Sequence, residues 1–93
     1  MGREQAKLNE QLHGVSFEDA RKAFADPFIV VRDNVYDHKN KEQRYQAIGS
    51  IGPVVLISVV FVDRSVPDLE VIHLISARKV DRYERSLYQD QFR

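Results

Sequence analysis

The chain has 93 residues, no cysteine, and 14 acidic against 14 basic side chains, for a formal net charge of zero. That balance excludes a generic polyanion-binding arm, so any nucleic-acid contact has to come from a local basic cluster. The lack of cysteine excludes disulfides and thiolate metal sites and suits a reducing cytoplasm.

The longest apolar run, Pro53 to Val62, is about half of what a membrane span needs. The polar opening residues do not read as a secretory segment, and Ala6 stands where a myristoylation signal wants Ser or Thr. The length predicts a single domain over residues 1–93, able to bury roughly 60–65% of its unfolded surface.

In chain order, residues 3–12 place Ala6, Leu8 and Leu12 among Arg3, Glu4, Lys7 and Glu10, which predicts an amphipathic helix. His13-Gly14 stops it, because glycine accepts a positive φ. Ser16 is the N-cap of a second helix whose apolar stripe is Phe17, Ala20, Ala23 and Phe24, and Asp26-Pro27 ends it near Ala25. Phe28 to Val31 is β-rich, and Asp33 to Lys41 reads as a polar turn region. Tyr45 to Ile48 predicts a short strand that ends at a Gly49-Ser50-Ile51-Gly52-Pro53 hairpin.

Val54 to Val62 is apolar at nearly every position, as expected of a central strand covered on both faces. A turn over Asp63 to Asp68 leads to a fourth strand, Glu70 to Ala77, and residues 81–91 form the closing helix. Asp81 followed by Glu84 gives that helix a capping-box pattern. The resulting class is α+β: two N-terminal helices, a four-stranded antiparallel meander and a C-terminal helix.

Three constellations are candidates for chemistry. Asp33, Asp37 and His38 lie close together but follow no metal-ligand spacing, and Asp and Asn favour turns on their own account, so no metal site is expected. His13 is either a proton shuttle or a partner for the last carbonyls of its own helix.

The third constellation is Arg44, Arg64, His73, Arg78 and Lys79, spread over positions that a meander can bring onto one sheet surface. Arg78 either grips a phosphate with its planar fork or caps the sheet edge by pairing with Glu84 or Asp81. His73 interrupts an apolar strand, and its imidazole can give or take a proton near neutral pH. Strict alternation puts His73 with Val71, Ile75 and Ala77, on the face opposite Arg78.

Residues from about Lys7 to Tyr88 resemble the BrnT family of ribonuclease toxins from type II toxin–antitoxin pairs. The resemblance rests on His13-Gly14-Val15-Ser16-Phe17-Glu18-Asp19-Ala20, then Phe24 and Asp26-Pro27, then Asp37-His38. It continues through Glu42-Gln43-Arg44-Tyr45, Ile48-Gly49, Phe61 with Arg64, and Ile75-Ser76-Ala77-Arg78 ahead of Glu84-Arg85 and Tyr88.

It implies a RelE-like fold, RNA cleavage without metal or cofactor, and a cytoplasmic toxin. It also implies a hetero-oligomer with a BrnA-like ribbon-helix-helix antitoxin. By the same resemblance Arg44, Arg64, His73 and Arg78 are the candidate catalytic residues, with Glu42 a further candidate base. Lys79, Arg82 and Tyr45 are candidate RNA contacts, and Tyr45 and Tyr83 are either stacking platforms or packing residues.

The chain departs from the family by starting almost in the first helix, without a preceding strand that carries a Phe-x-Trp-Asp-like run. It also has Leu12 where lysine is common, and His73 where arginine is usual, which leaves one cation fewer at neutral pH. The competing function is a non-catalytic protein-binding module of the same fold.

Overall fold

A computed structural model of the chain describes residues 3–53 and 55–93, with side chains described from Lys7 onward. The expected strand start at Val54 and the expected apolar contribution of Ala6 lie outside the described residues.

The elements run α1 (Arg3–His13), α2 (Phe17–Ala20), a 3-10 segment (Arg21–Ala25), β1 (Val30–Asp37), β2 (Glu42–Gly52), β3 (Val55–Asp63), β4 (Ile72–Lys79), α3 (Arg82–Gln89) and a 3-10 turn (Asp90–Phe92). The four strands form one antiparallel meander in the order β1-β2-β3-β4. The α+β class, the antiparallel sheet and the C-terminal helix are thus as expected.

Several boundaries move for identifiable reasons. The second helix is a single α-turn that tightens into the 3-10 segment. Its start is as expected, because the Ser16 hydroxyl accepts from the Asp19 N–H at 3.0 Å. Gly14 takes φ +70 where α1 ends.

Asp33 to Asp37 belongs to β1 rather than to a turn. An edge strand tolerates polar side chains, and a bulge between Asp33 and Tyr36 absorbs the mismatch with β2. β2 also runs through Gly49, because a Cβ there would sit 2.8 Å from the Ala23 carbonyl oxygen of the 3-10 segment. The glycine serves close packing rather than a hairpin turn.

Val15, Phe17, Ala20 and Ala23 pack with Ala47, Ile57, Val59, Phe61, Leu74 and Ala77 to form the main core on one sheet face. The opposite face carries a smaller cluster, Ile48, Leu56 and Tyr88, with Val30, Val80 and Leu87 against it, where α3 lies down. Asp26 ties that end together. Its carboxylate accepts from the Tyr88 hydroxyl at 2.7 Å, the Ser50 N–H at 2.8 Å and the Phe28 N–H at 2.9 Å. Burial and this acceptor together push the Tyr88 phenol up to about 12.

α1 docks in a way its apolar pattern does not suggest. Leu8 and Leu12 are 54% and 68% exposed, and the residue turned inward is Asn9, at 5%. Its amide accepts from the Ala77 N–H at 2.9 Å and donates to the Ala77 carbonyl at 2.8 Å, as an additional strand would. A second donation, to the Val15 carbonyl at 2.8 Å, fixes the loop after α1. Asn9→Ala leaves three buried backbone groups without their partner, so unfolding free energy should fall by about 2–3 kcal/mol. Asn9→Asp should not rescue it, because a carboxylate accepts but cannot donate to the two carbonyls. Urea denaturation of the three proteins checks this.

Candidate functional site

The placement of the cationic residues depends on an irregularity in β4. Val60 pairs with Ser76 and Phe61 with Leu74, so Ile75 is an extra residue that resets the alternation. Val62 then pairs with His73 and Ser58 with Arg78. His73 and Arg78 therefore project from the same sheet face, which corrects the expectation of strict alternation.

Arg44 pairs with Val62 from the other side, so Arg44, Val62 and His73 form one row across β2, β3 and β4. Neighbouring strands lie about 4.8 Å apart, which separates the two outer backbones by about 10 Å. Long side chains can converge across that gap.

α3 packs over the end of this face that carries Ile48 and Leu56, and we term the stretch of sheet beside it the bay. The row Arg44–Val62–His73 and the half-buried Val60 and Ser76 form its floor. The first turn of α3 forms one wall. Its capping box is complete: the Asp81 carboxylate accepts from the Glu84 N–H at 2.8 Å, and Glu84 accepts from the Asp81 N–H at 3.0 Å.

Glu84 is only 5% exposed. It also takes two parallel hydrogen bonds from the Arg78 guanidinium, at 2.8 and 2.7 Å. The Gln46 amide donates both to Glu84 and to the Ser58 hydroxyl. Burial alone would push the Glu84 carboxyl up, but the Arg78 fork, the Asp81 N–H and Gln46 together hold it below the usual carboxylate range.

The other two candidate arginines, Arg64 and Arg44, also have a carboxylate each. Arg64 makes a bidentate pair with Glu42 at 2.9 and 3.0 Å. That pair lies close enough to His73 for its charges to be felt there. Arg44 reaches Asp37 through one contact at 3.4 Å, and its buried Nε has no hydrogen-bond partner. Among the three, Arg44 is the least committed. Burial, and after it the Arg64 charge, lowers the His73 pKa below the ordinary imidazole value, so the ring is neutral at pH 7.

The remaining candidates fall elsewhere. Tyr45 belongs to the opposite face, where it packs against Phe61 with ring centroids 5.6 Å apart. Lys79 pairs with Ile57, also on that face, and Arg82 is exposed at the start of α3. A groove of about 490 Å³ lined by Arg21, Phe24, Glu70 and Val71 with Ile72 and Leu74 opens beside the main core, away from the bay.

Among the described residues, no group of three or more His, Cys, Asp or Glu side chains is placed to hold a metal ion. The Asp37 carboxylate is taken up by its own turn, through Lys39 and Asn40, and by Arg44. Sequence reasoning missed Gln46, Ser58 and Arg32 on the bay face. The signal available for Gln46 and Ser58 was a polar residue inside an otherwise apolar strand.

The buried network should titrate. A depressed Glu84 pKa contributes stability above the ordinary carboxyl value of 4.5 and loses it as pH falls through the folded value. Glu84→Gln should therefore lower stability by about 1–3 kcal/mol at pH 7, less than a fully buried pair because Arg78 is partly exposed. It should also flatten the acid limb of a melting-temperature profile. Thermal melts of both proteins from pH 3 to 7 test this.

A family model described as the ribonuclease toxin BrnT of type II toxin–antitoxin systems matches residues 3–84. No curated protein matches the chain significantly. The matched span takes in α1, all four strands and the capping turn of α3 as far as Glu84. Membership of such a toxin family implies an antitoxin partner and an RNA substrate. The chain belongs to the BrnT family of ribonuclease toxins.

Proposed function

We propose that the bay beside α3 is the site at which this toxin cleaves RNA, without a metal ion. The observation that carries this reading is the shared face: Arg44 and His73 flank Val62 in one row, with Arg64–Glu42 near His73 and Arg78 beyond. Neutral His73 takes the proton from the 2′-hydroxyl, whose oxygen bonds to the adjacent phosphorus as the bond to the 5′-oxygen breaks. Water supplies the proton to that leaving oxygen. Negative charge grows on the phosphoryl oxygens, and fixed guanidinium groups aimed there supply most of the rate.

The meander with helices on both faces supports a RelE-like fold, and the partner is a BrnA-like ribbon-helix-helix antitoxin. Such a dimer imposes two-fold symmetry, giving a hetero-oligomer with two toxins. The carboxylate partners of Arg64 and Arg78 favour a second reading, a non-catalytic module that docks a protein.

Incubation of the purified chain with single-stranded RNA in EDTA separates the two readings. Products ending in a 2′,3′-cyclic phosphate support cleavage, and intact RNA at every pH rejects it. Arg44→Lys keeps the charge but loses the fork, so kcat/KM should fall by about 10-fold, or about 1.4 kcal/mol. An Arg44→Lys protein with full activity would reduce Arg44 to generic charge.

kcat/KM should rise with pH through a value below the ordinary 6.5 and then level off, because His73 of the free chain acts as its neutral base. His73→Arg should abolish that limb. An unchanged profile in a folded His73→Arg protein would remove His73 from the site.

A further inference from the structure

Tyr83 and Arg32 form a feature that the cleavage chemistry does not use. Tyr83 is 61% exposed, although it stands in the capped first turn of α3. The capping box fixes the first turn of α3, and the next residue, Glu84, is bolted to Gln46 and Arg78. Arg32 comes from β1, where it pairs with Gln46 and so projects from the bay face. Its guanidinium lies over the Tyr83 ring, 5.8 Å from the centroid. This cation–π contact restrains the ring without burying it. The other side of the ring is left to solvent.

Arg32 and Arg44 are diagonal neighbours on adjacent strands, because Arg32 pairs with Gln46 and Arg44 stands two residues before it. Such neighbours are about 7–8 Å apart at the backbone. A phosphate at Arg44 therefore leaves the base of an adjoining nucleotide within reach of the tyrosine.

We infer that Tyr83, steadied by Arg32, is a stacking subsite for an unpaired nucleobase next to the scissile phosphate; the inference rests on the bay being the RNA site. An exposed flat ring backed by a guanidinium on one face offers a base what stacking needs: a free π surface on the other face. The capping network makes the platform rigid, so little ordering is needed on binding. Every base has a π face, so the subsite accepts any base, and Arg32 acts by positioning the ring.

The test uses a single-stranded oligoribonucleotide that is 2′-O-methylated throughout, and hence uncleavable, with 2-aminopurine at successive positions. The wild-type chain should quench the probe at one position, and an abasic residue there should weaken binding. Tyr83→Ala should bind about 10-fold more weakly and lose the quench. Tyr83→Phe should retain both, and Arg32→Gln should weaken both partially. All should melt like the wild type, because the ring is exposed.

A Tyr83→Ala protein that binds this probe as tightly as the wild type would overturn the subsite, even if cleavage of ordinary RNA is intact. So would a loss of antitoxin affinity with RNA binding unchanged, which would assign the ring to a protein interface. Tyr83-dependent quenching by a chain that cuts no RNA would uphold the subsite and overturn only the cleavage chemistry.

Discussion

One buried carboxylate organises the functional end of this molecule. Glu84 accepts four hydrogen bonds, two from Arg78 and one each from the Asp81 N–H and the Gln46 amide. Through them a helix cap, a strand floor and a surface cation become one unit. A carboxylate in so dry a position is costly unless every lone pair is used, and here the Arg78 charge and three kinds of donor meet that need. α3 makes limited apolar contact with the sheet, chiefly through Leu87 and Tyr88, so this polar network sets where its first turn stands. The position of Tyr83 and the wall of the bay follow from it.

How much of this was legible depended on whether the signal was local. The capping box at Asp81 and Glu84, the positive φ of Gly14 and the Ser16 cap were readable because each involves residues within about one helical turn. The four strands and their order were readable from apolar runs and short connections. The bulge at Ile75 was not. One extra residue in β4 reverses the face of everything on one side of it, and no side-chain pattern in Val71 to Ala77 announces it. Leu8 and Leu12 misdirected the reading of α1 because periodicity reports apolar residues, whereas the docking residue is an asparagine that substitutes for a missing strand partner. Gly49 misled for a similar reason: its need for glycine comes from Ala23, which is far away in sequence.

Zero net charge and the proposed phosphate-binding role of the bay are compatible because the arginines differ in what holds them. Arg64 and Glu42 are both solvent-accessible, and water and salt screen such pairs so strongly that they contribute little to stability. A phosphate can displace that carboxylate at small cost. Arg78 is different, because releasing Glu84 would leave a buried charge unpaired, a loss of about 3–5 kcal/mol in fully buried cases. Under the proposed chemistry Arg78 therefore meets a substrate with its remaining donors while its fork stays on Glu84, as a positioned rather than a mobile cation. Arg44, with one long contact and an unpartnered Nε, has the most to gain from an incoming oxygen.

The histidine in the bay follows the same balance. Guanidinium groups stand at Arg44 and Arg64, and the carboxylates facing them are Asp37 and Glu42. An arginine at position 73 would add a permanent third charge beside these two pairs. Histidine avoids that repulsion, since burial and Arg64 keep the ring neutral in the free chain. Under the proposed chemistry that neutrality is useful, because a base must arrive unprotonated. Once a phosphodiester occupies the bay, its negative charge offsets Arg64 and favours the imidazolium. Under that chemistry the ring can then hold the proton it takes from the 2′-hydroxyl, and a third cation forms in the bay only as the reaction proceeds.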